Sequence, residues 1–439
     1  MARLLYTLLI YLCLPLILLR LLWRGSRAPA YRHRWGERFG FVGRLADSRP
    51  VIWVHAVSVG ETIAAAAMVR RLQKQHPEST LLVTTMTPTG SAQVAKIFGD
   101  SVAHCYAPYD MPDAIARFLS RTHPTLLVIM ETELWPNLIH ACHQRAIPVV
   151  LANARLSAKS AAGYAKVARL ATPMLRELSA IAAQTKEDGE RFLQLGVARD
   201  ALEVTGNIKF DLQLDVALRQ RAALLKKQWR GSAGRPVWLA ASTHRGEDAI
   251  IIDAFKQVLE HRSDVLLVLV PRHPERFSEV AALCSAAGYR VQRRSEVQAS
   301  ETAAVESGVQ IVLGDTMGEL LSFCGASDIT FVGGSLVDVG GHNLIEPAAW
   351  GVPVLSGPHL FNFTEVSRLL SEAGALDICV GASELAARVV ALMADREAYQ
   401  QMSSAALAVT EANRGALDRL TVLLEKQICQ PPAPVSSRY

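Results

Sequence analysis

The sequence predicts an α/β protein of two Rossmann-like domains facing a cleft, preceded by a hydrophobic anchor helix. Three observations carry this. Ten short apolar runs alternate with amphipathic stretches, a charged stretch without such runs divides them into two sets of five, and residues 4–19 contain no charge. With 439 residues, half of them apolar, the chain is neither disordered nor fibrous and can build two or three cores.

The first set of runs is VIWVHAV, LLVTTM, LLVIMET, VVLANA and AIAAQT; the second is VWLAAS, VLLVLVP, VQIVLGD, ITFVGGS and VPVLSGP. Continuous Val/Ile/Leu-rich runs between helical segments suit strands buried on both faces of a parallel sheet. Between Phe210 and Pro236 the runs stop, so the domain boundary is expected there. The expected organisation is an anchor at 1–24, a first domain at 25–215, a second at 216–410, and a helix and tail at 411–439. The C-terminal helical segments are expected to pack back across the first domain, and the tail QPPAPVSSRY to be disordered.

Lys and Arg number 46 against 41 Asp and Glu, but the excess is local: residues 1–50 hold nine Arg against Glu37 and Asp47. That pattern points to a membrane surface or anionic lipid and away from nucleic acid. Seven scattered cysteines without a C-x-x-C motif point to a reducing compartment and against structural zinc. Residues 4–19 would cover about 24 Å as a helix, and extension to Trp23 reaches about 30 Å, the thickness of a hydrocarbon core. Arg20 can snorkel near the end, and Arg24, Arg27, Arg32, Arg34 and Arg38 place the body of the protein in the cytoplasm. A cleaved signal peptide is the alternative, and a spanning helix and one lying in a single leaflet are both open.

Ligands of open α/β sheets sit beyond the carboxyl ends of the strands. Neither G-x-G-x-x-G after the first run nor G-x-x-x-x-G-K-[ST] anywhere is present, which disfavours a dinucleotide dehydrogenase or a P-loop hydrolase. In VHAVSVGETI, Ser58-x-x-Glu61 has capping-box spacing, and Glu61 at this strand–helix junction is equally a candidate general base. In LLVIMETELWPN, strand alternation puts Glu131 and Glu133 on one side; Glu131 is a site candidate or an ordinary loop charge, and Glu133 favours the helix start. Lys209, after TGN, is a cation near the expected cleft or a solvated surface group.

In the second domain Pro271 and Arg272 end a run, and the guanidinium suits a phosphate or sugar carboxylate. Asp315, Thr316 and Met317 lie between Gly314 and Gly318 in a turn suited to a base or ribose. In VGGSLVDVGGHNLIEP, the glycines permit close backbone approach. Asn343, Leu344, Ile345 and Glu346 are expected to open a helix whose free N–H groups suit an anionic phosphate.

Taken in order, HAVSVGE, METELWPN, TGNIKFD, PRHPERF, LGDTMGEL and GGHNLIEPAAWGVPV resemble the Kdo transferases of lipopolysaccharide biosynthesis, GT-B glycosyltransferases with two Rossmann-like domains. The resemblance runs from the N-terminal anchor to about residue 425. It implies transfer of 3-deoxy-D-manno-octulosonate (Kdo) from CMP-Kdo to a lipid A precursor with inversion, at the cytoplasmic face of the bacterial inner membrane. It further implies Glu61 as proton acceptor, Glu131 and Lys209 assisting, and Pro271-Arg272, Asp315-Thr316-Met317 and Asn343 to Glu346 binding CMP. No metal or other cofactor is expected, because CMP leaves as a monophosphate ester. The rivals are a membrane-associated sugar-nucleotide epimerase or hydrolase of the same fold and a non-catalytic nucleotide-sugar binding protein.

Overall fold

The computed structural model describes residues 1–45, 49–232, 234–297, 305–306 and 308–429. The expected disorder of the tail at 430–439 lies outside the described residues. The chain divides into two units, Met1–Asp211 with Arg414–Tyr439, and Leu212–Asn413.

The first unit carries seven parallel strands: β1 (Val51–His55), β2 (Thr80–Thr85), β3 (Ala103–Tyr106), β4 (Pro124–Met130), β5 (Val149–Ala154), β6 (Ala180–Ala183) and β7 (Leu202–Val204). Their order is β3-β2-β1-β4-β5-β6-β7, so the chain reverses direction across the sheet between β1 and β4. Alternation along each strand feeds two cores. Ile52, Val54, Val83 and Val128 pack with Met68 and Leu72 on one face, and Trp53, Leu127 and Ile129 pack with Phe118 and Leu138 on the other. Fully buried Trp53 donates its indole N–H to the Thr84 hydroxyl at 2.8 Å.

The helix Ala416–Cys429 returns to this sheet and places Ala416, Leu420 and Leu424 in the first of those cores. Asp211 anchors its start: the two carboxylate oxygens accept from the Gly415 and Leu417 N–H groups, each at 2.6 Å. Arg419 adds a bond from Nε to the Thr205 carbonyl at 2.8 Å. These bonds explain why the first unit is discontinuous in sequence, leaving off at Asp211 and resuming at Arg414.

The second unit repeats the plan with β8 (Val237–Thr243), β9 (Leu266–Pro271), β10 (Val291–Arg293), β11 (Ile311–Leu313), β12 (Ile329–Val332), β13 (Val354–Ser356) and β14 (Leu376–Ile378). The order β10-β11-β9-β8-β12-β13-β14 reverses between β8 and β12. Trp238, Phe255 and Phe331 fill one core, Leu239, Val268 and Phe323 the other. In both sheets the reversal opens a crevice outside the strand carboxyl ends, where ligands of such folds bind.

Removing the Asp211 cap should unfasten the last helix. Asp211→Ala forfeits two charge-assisted bonds, each worth about 1.5–3 kcal/mol, so the thermal midpoint should fall and amides of Ala416–Cys429 should lose hydrogen-exchange protection. Unchanged protection in that helix would contradict the cap.

Candidate active site

In the first unit, Ser58 caps the helix Val59–Gln75 through its hydroxyl, which accepts from the Glu61 N–H at 3.3 Å and donates to Glu61 Oε1 at 2.8 Å. The second carboxylate oxygen departs from a standard capping box. It accepts from the Val57 N–H, one residue before the cap, at 2.8 Å. This geometry folds the side chain back against the β1 end, leaving Glu61 only 8 % exposed. Burial pushes its pKa up to about 7; the bonds from Ser58 and Val57 oppose the rise, and the charges of Glu131 and Glu133 add to it. Capping and a raised carboxyl pKa are thus two aspects of one arrangement.

Strand alternation does not extend to Glu131. β4 ends at Met130, and Glu131 adopts a left-handed backbone (φ 56°) while its N–H still bonds the Ala152 carbonyl at 2.9 Å. For a non-glycine residue this conformation is sparsely populated and costs roughly 1–3 kcal/mol, a form of strain that clusters at functional sites. The turn aims the carboxylate at Lys209, whose Nζ lies 3.0 Å from Oε1. Glu133 instead accepts from the Trp135 indole N–H at 3.2 Å, and burial together with the Glu131 charge raises its pKa.

Two residues that sequence reasoning passed over hold this arrangement. Asn153, also left-handed (φ 53°) and fully buried, accepts from the Ile208 N–H at 3.1 Å and so places the turn that carries Lys209. His55 ends β1 with Nδ1 2.9 Å from the Thr84 hydroxyl and its ring edge-on to Trp135 at 4.9 Å. Complete burial lowers its pKa to about 4, so His55 is neutral around pH 7 and packs the β1 end against the loop bearing Glu131 and Glu133. The signal for both was present in VIWVHAV and VVLANA: polar residues at the carboxyl end of an otherwise apolar strand.

In the second unit, Pro271 closes β9 and pairs with Thr243, and the Arg272 N–H bonds the Thr243 carbonyl at 3.0 Å. The Arg272 side chain is exposed and makes no hydrogen bond or ion pair among the described residues. Around it stand three histidines. His244 and His342 stack with Nε2 atoms 2.8 Å apart, and His273 lies edge-on to His244 at 5.1 Å. Burial, then Arg272 and the neighbouring histidines, push His342 down to about 3. Imidazole groups beside an exposed guanidinium are suited to an anion. Of this group the sequence had singled out Arg272.

The glycine-rich segment works differently from expectation. The N–H groups of Gly334, Ser335 and Leu336 do not stand free for a phosphate, because the fully buried Glu247 carboxylate accepts all three at 2.7–2.9 Å, together with the His244 N–H. A Cβ at Gly333 would come within 2.9 Å of Glu247 Oε2, which accounts for glycine there. The expected helix after Asn343 is a single turn, Ile345–Ala349. Asn343 Oδ1 accepts the Ile345 N–H at 3.2 Å and Pro347 has none, so this turn offers an anion little backbone. Leu344 and Ile345 are fully buried, and their side chains serve the core. Glu346 accepts from Asn343 at 3.1 Å; burial raises its pKa against the pull of Asn343 and Arg272.

Asp315 and Thr316 are already engaged, the first with the segment that follows β10 and the second within its own loop. Asp315 accepts from the Ser295 N–H and hydroxyl at 2.8 and 2.7 Å, Thr316 donates to Glu319, and Met317 is exposed. The structure therefore groups Glu61, Glu131 and Lys209 in one unit, and Arg272 with Glu346 in the other.

Residues 33–212 match the family described as 3-deoxy-D-manno-octulosonic-acid transferase (kdotransferase). The chain is 45% identical over 427 residues to the 3-deoxy-D-manno-octulosonic acid transferase of Haemophilus influenzae, covering 97% of this chain and 98% of that one. It belongs to the Kdo transferase family. The Bordetella pertussis enzyme of the same name is 38% identical, with 97% and 99% coverage. The Kdo transferase chain is thus a glycosyltransferase of lipopolysaccharide biosynthesis. A crystal structure of UDP-GlcNAc 2-epimerase from Neisseria meningitidis matches 86% of this chain and 100% of its own with a TM-score of 0.59; at 16% identity it shares the fold alone.

A carbon-13 NMR titration of the Glu61 carboxyl should give a midpoint about 7, moving to lower pH in Glu133→Gln, which removes a repelling charge. A midpoint at the ordinary value of 4.5 would contradict the burial argument.

Proposed function

We propose that this Kdo transferase moves Kdo from CMP-Kdo to a hydroxyl of a lipid A precursor, lipid IVA, inverting the anomeric centre with Glu61 as general base. The observation that carries the reading is the Glu61 carboxylate, shielded, held by Ser58 and Val57, and raised to a pKa of about 7. A base matched to the working pH is half available at neutrality and still strong enough to take an alcohol proton in the transition state.

In the proposed step the acceptor O–H bond breaks as the new C–O bond forms at the Kdo anomeric carbon, and the proton passes to Glu61. The bond from that carbon to the CMP phosphate oxygen breaks with its electron pair on the phosphate. Lys209, oriented by Glu131, supplies positive charge in the first unit. Arg272, exposed and without an ion-pair partner among the described residues, receives the phosphate in the second. Pro271, the turn at Asp315, Thr316 and Met317, and Asn343 to Glu346 complete the CMP contacts, with Leu344 and Ile345 acting through their backbone. The reaction is metal-independent, since a departing monophosphate has no diphosphate for a divalent ion to bridge. The N-terminal helix, in which an 18-residue stretch has a mean hydropathy of 2.2, supports work at the cytoplasmic face of the inner membrane, where anionic acceptor lipids reside.

Glu61→Gln keeps the shape but cannot accept a proton, so transfer should fall about 10²–10⁴-fold while CMP binding persists. Mass spectrometry of product from CMP-Kdo and lipid IVA measures the first and calorimetry the second; normal turnover would reject the base. Wild-type transfer should be the same in EDTA, and recovery of a lost activity by magnesium would reject the metal-free step.

A further inference from the structure

The N-terminal helix, Ala2–Arg27, has 26 residues and is about 39 Å long. Its shielded positions recur every three or four residues, through Tyr6, Ile10, Leu14, Leu18, Leu21 and Gly25. One face is thus turned to the first unit along roughly 28 Å of axis. The contacts include polar ones. The Tyr6 hydroxyl donates to Asp110 at 2.9 Å, the Thr7 hydroxyl lies 3.0 Å from Asn137 Oδ1, and the Tyr11 hydroxyl donates to Asp113. Asp110 in turn accepts from the N–H groups of Asn137 and Leu138, capping the helix Pro136–Gln144. A separate stripe faces away from the unit: Leu5, Leu9, Leu12, Leu16, Leu19 and Trp23 are 57–69 % exposed.

We propose that this helix does not cross the bilayer but lies in the plane of an anionic membrane surface, docked along the first unit with its leucine stripe in the acyl boundary. The inference rests on the membrane association proposed above and deepens it. A helix crossing the hydrocarbon while keeping these contacts would drag Asp110 and Asp113 into it, at a cost of several kcal/mol per charge. Lying flat, the stripe buries in the boundary region. Arg3, Arg20 and Arg24 sit at headgroup level, matching the concentration of arginine in the first 50 residues.

The test uses the full chain carrying Ala2→Cys and Cys13→Ala in a bacterial host, with the exposed Cys429 as reporter of the side occupied by the body. A membrane-impermeant maleimide is applied to sealed spheroplasts and to inverted inner-membrane vesicles. The proposal expects the thiols at positions 2 and 429 to label together in inverted vesicles, with loss of both signals in spheroplasts. Labelling of position 2 in spheroplasts with protection in inverted vesicles would overturn the in-plane helix while leaving membrane association standing. Recovery of the protein in the soluble fraction, as a monomer or as a dimer sealed by the leucine stripe, would overturn both.

Discussion

The chemistry proposed for the first unit depends on a single carboxylate held out of water. Glu61 is bound by the groups that begin its own helix, the Ser58 hydroxyl and the Val57 N–H. Those bonds favour the ionised form, yet burial and the nearby charges of Glu131 and Glu133 outweigh them. The balance leaves a carboxylate that is anchored and still basic. Weaker burial would give a better cap and a poorer base, because the two hydrogen bonds alone would hold the pKa down.

In both units the fold concentrates strain where strands end. Glu131, Asn153 and Ser242, at the carboxyl ends of β4, β5 and β8, are all left-handed although none is glycine. In the first unit each such turn has a visible consequence. Glu131 is aimed at Lys209, and Asn153 fixes the turn carrying Lys209. In the second unit Glu247 plays the organising part, since its carboxylate collects N–H groups from the segment that follows β12. Carboxylates that gather backbone donors thus shape both units, through Asp110 and Asp211 as well as Glu247.

Much of the fold was legible because the interior strands are buried on both faces and read as unbroken apolar runs. The edges were harder. β3, β7, β10 and β14 are three or four residues long and only partly buried, so they lack that signature. Position after the strands made Glu61, Glu131 and Lys209 candidates, whereas their grouping was implied by the resemblance to the Kdo transferases. Glu247 gave no sign, because a Glu at the start of a helix looks like an ordinary first-turn charge, and only the return of β12 beside β8 reveals what it binds. The bonding of the Gly334, Ser335 and Leu336 amides was hidden for the same reason, the residue that fills them lying nearly ninety positions away in sequence. The anchor's hydropathy was plain, whereas its orientation depends on Tyr6, Thr7 and Tyr11, whose partners lie more than a hundred residues on.

The most direct measurement of the central claim is the pH dependence of kcat/KM for wild-type transfer. With Glu61 as a base of pKa about 7, the rate should fall on the acid side of neutrality with the slope of one proton, since protonation fills the lone pair the acceptor needs, and the residual rate of Glu61→Gln should lack that limb. A wild-type profile flat down to the ordinary carboxylate range, or an identical limb in Glu61→Gln, would contradict the account.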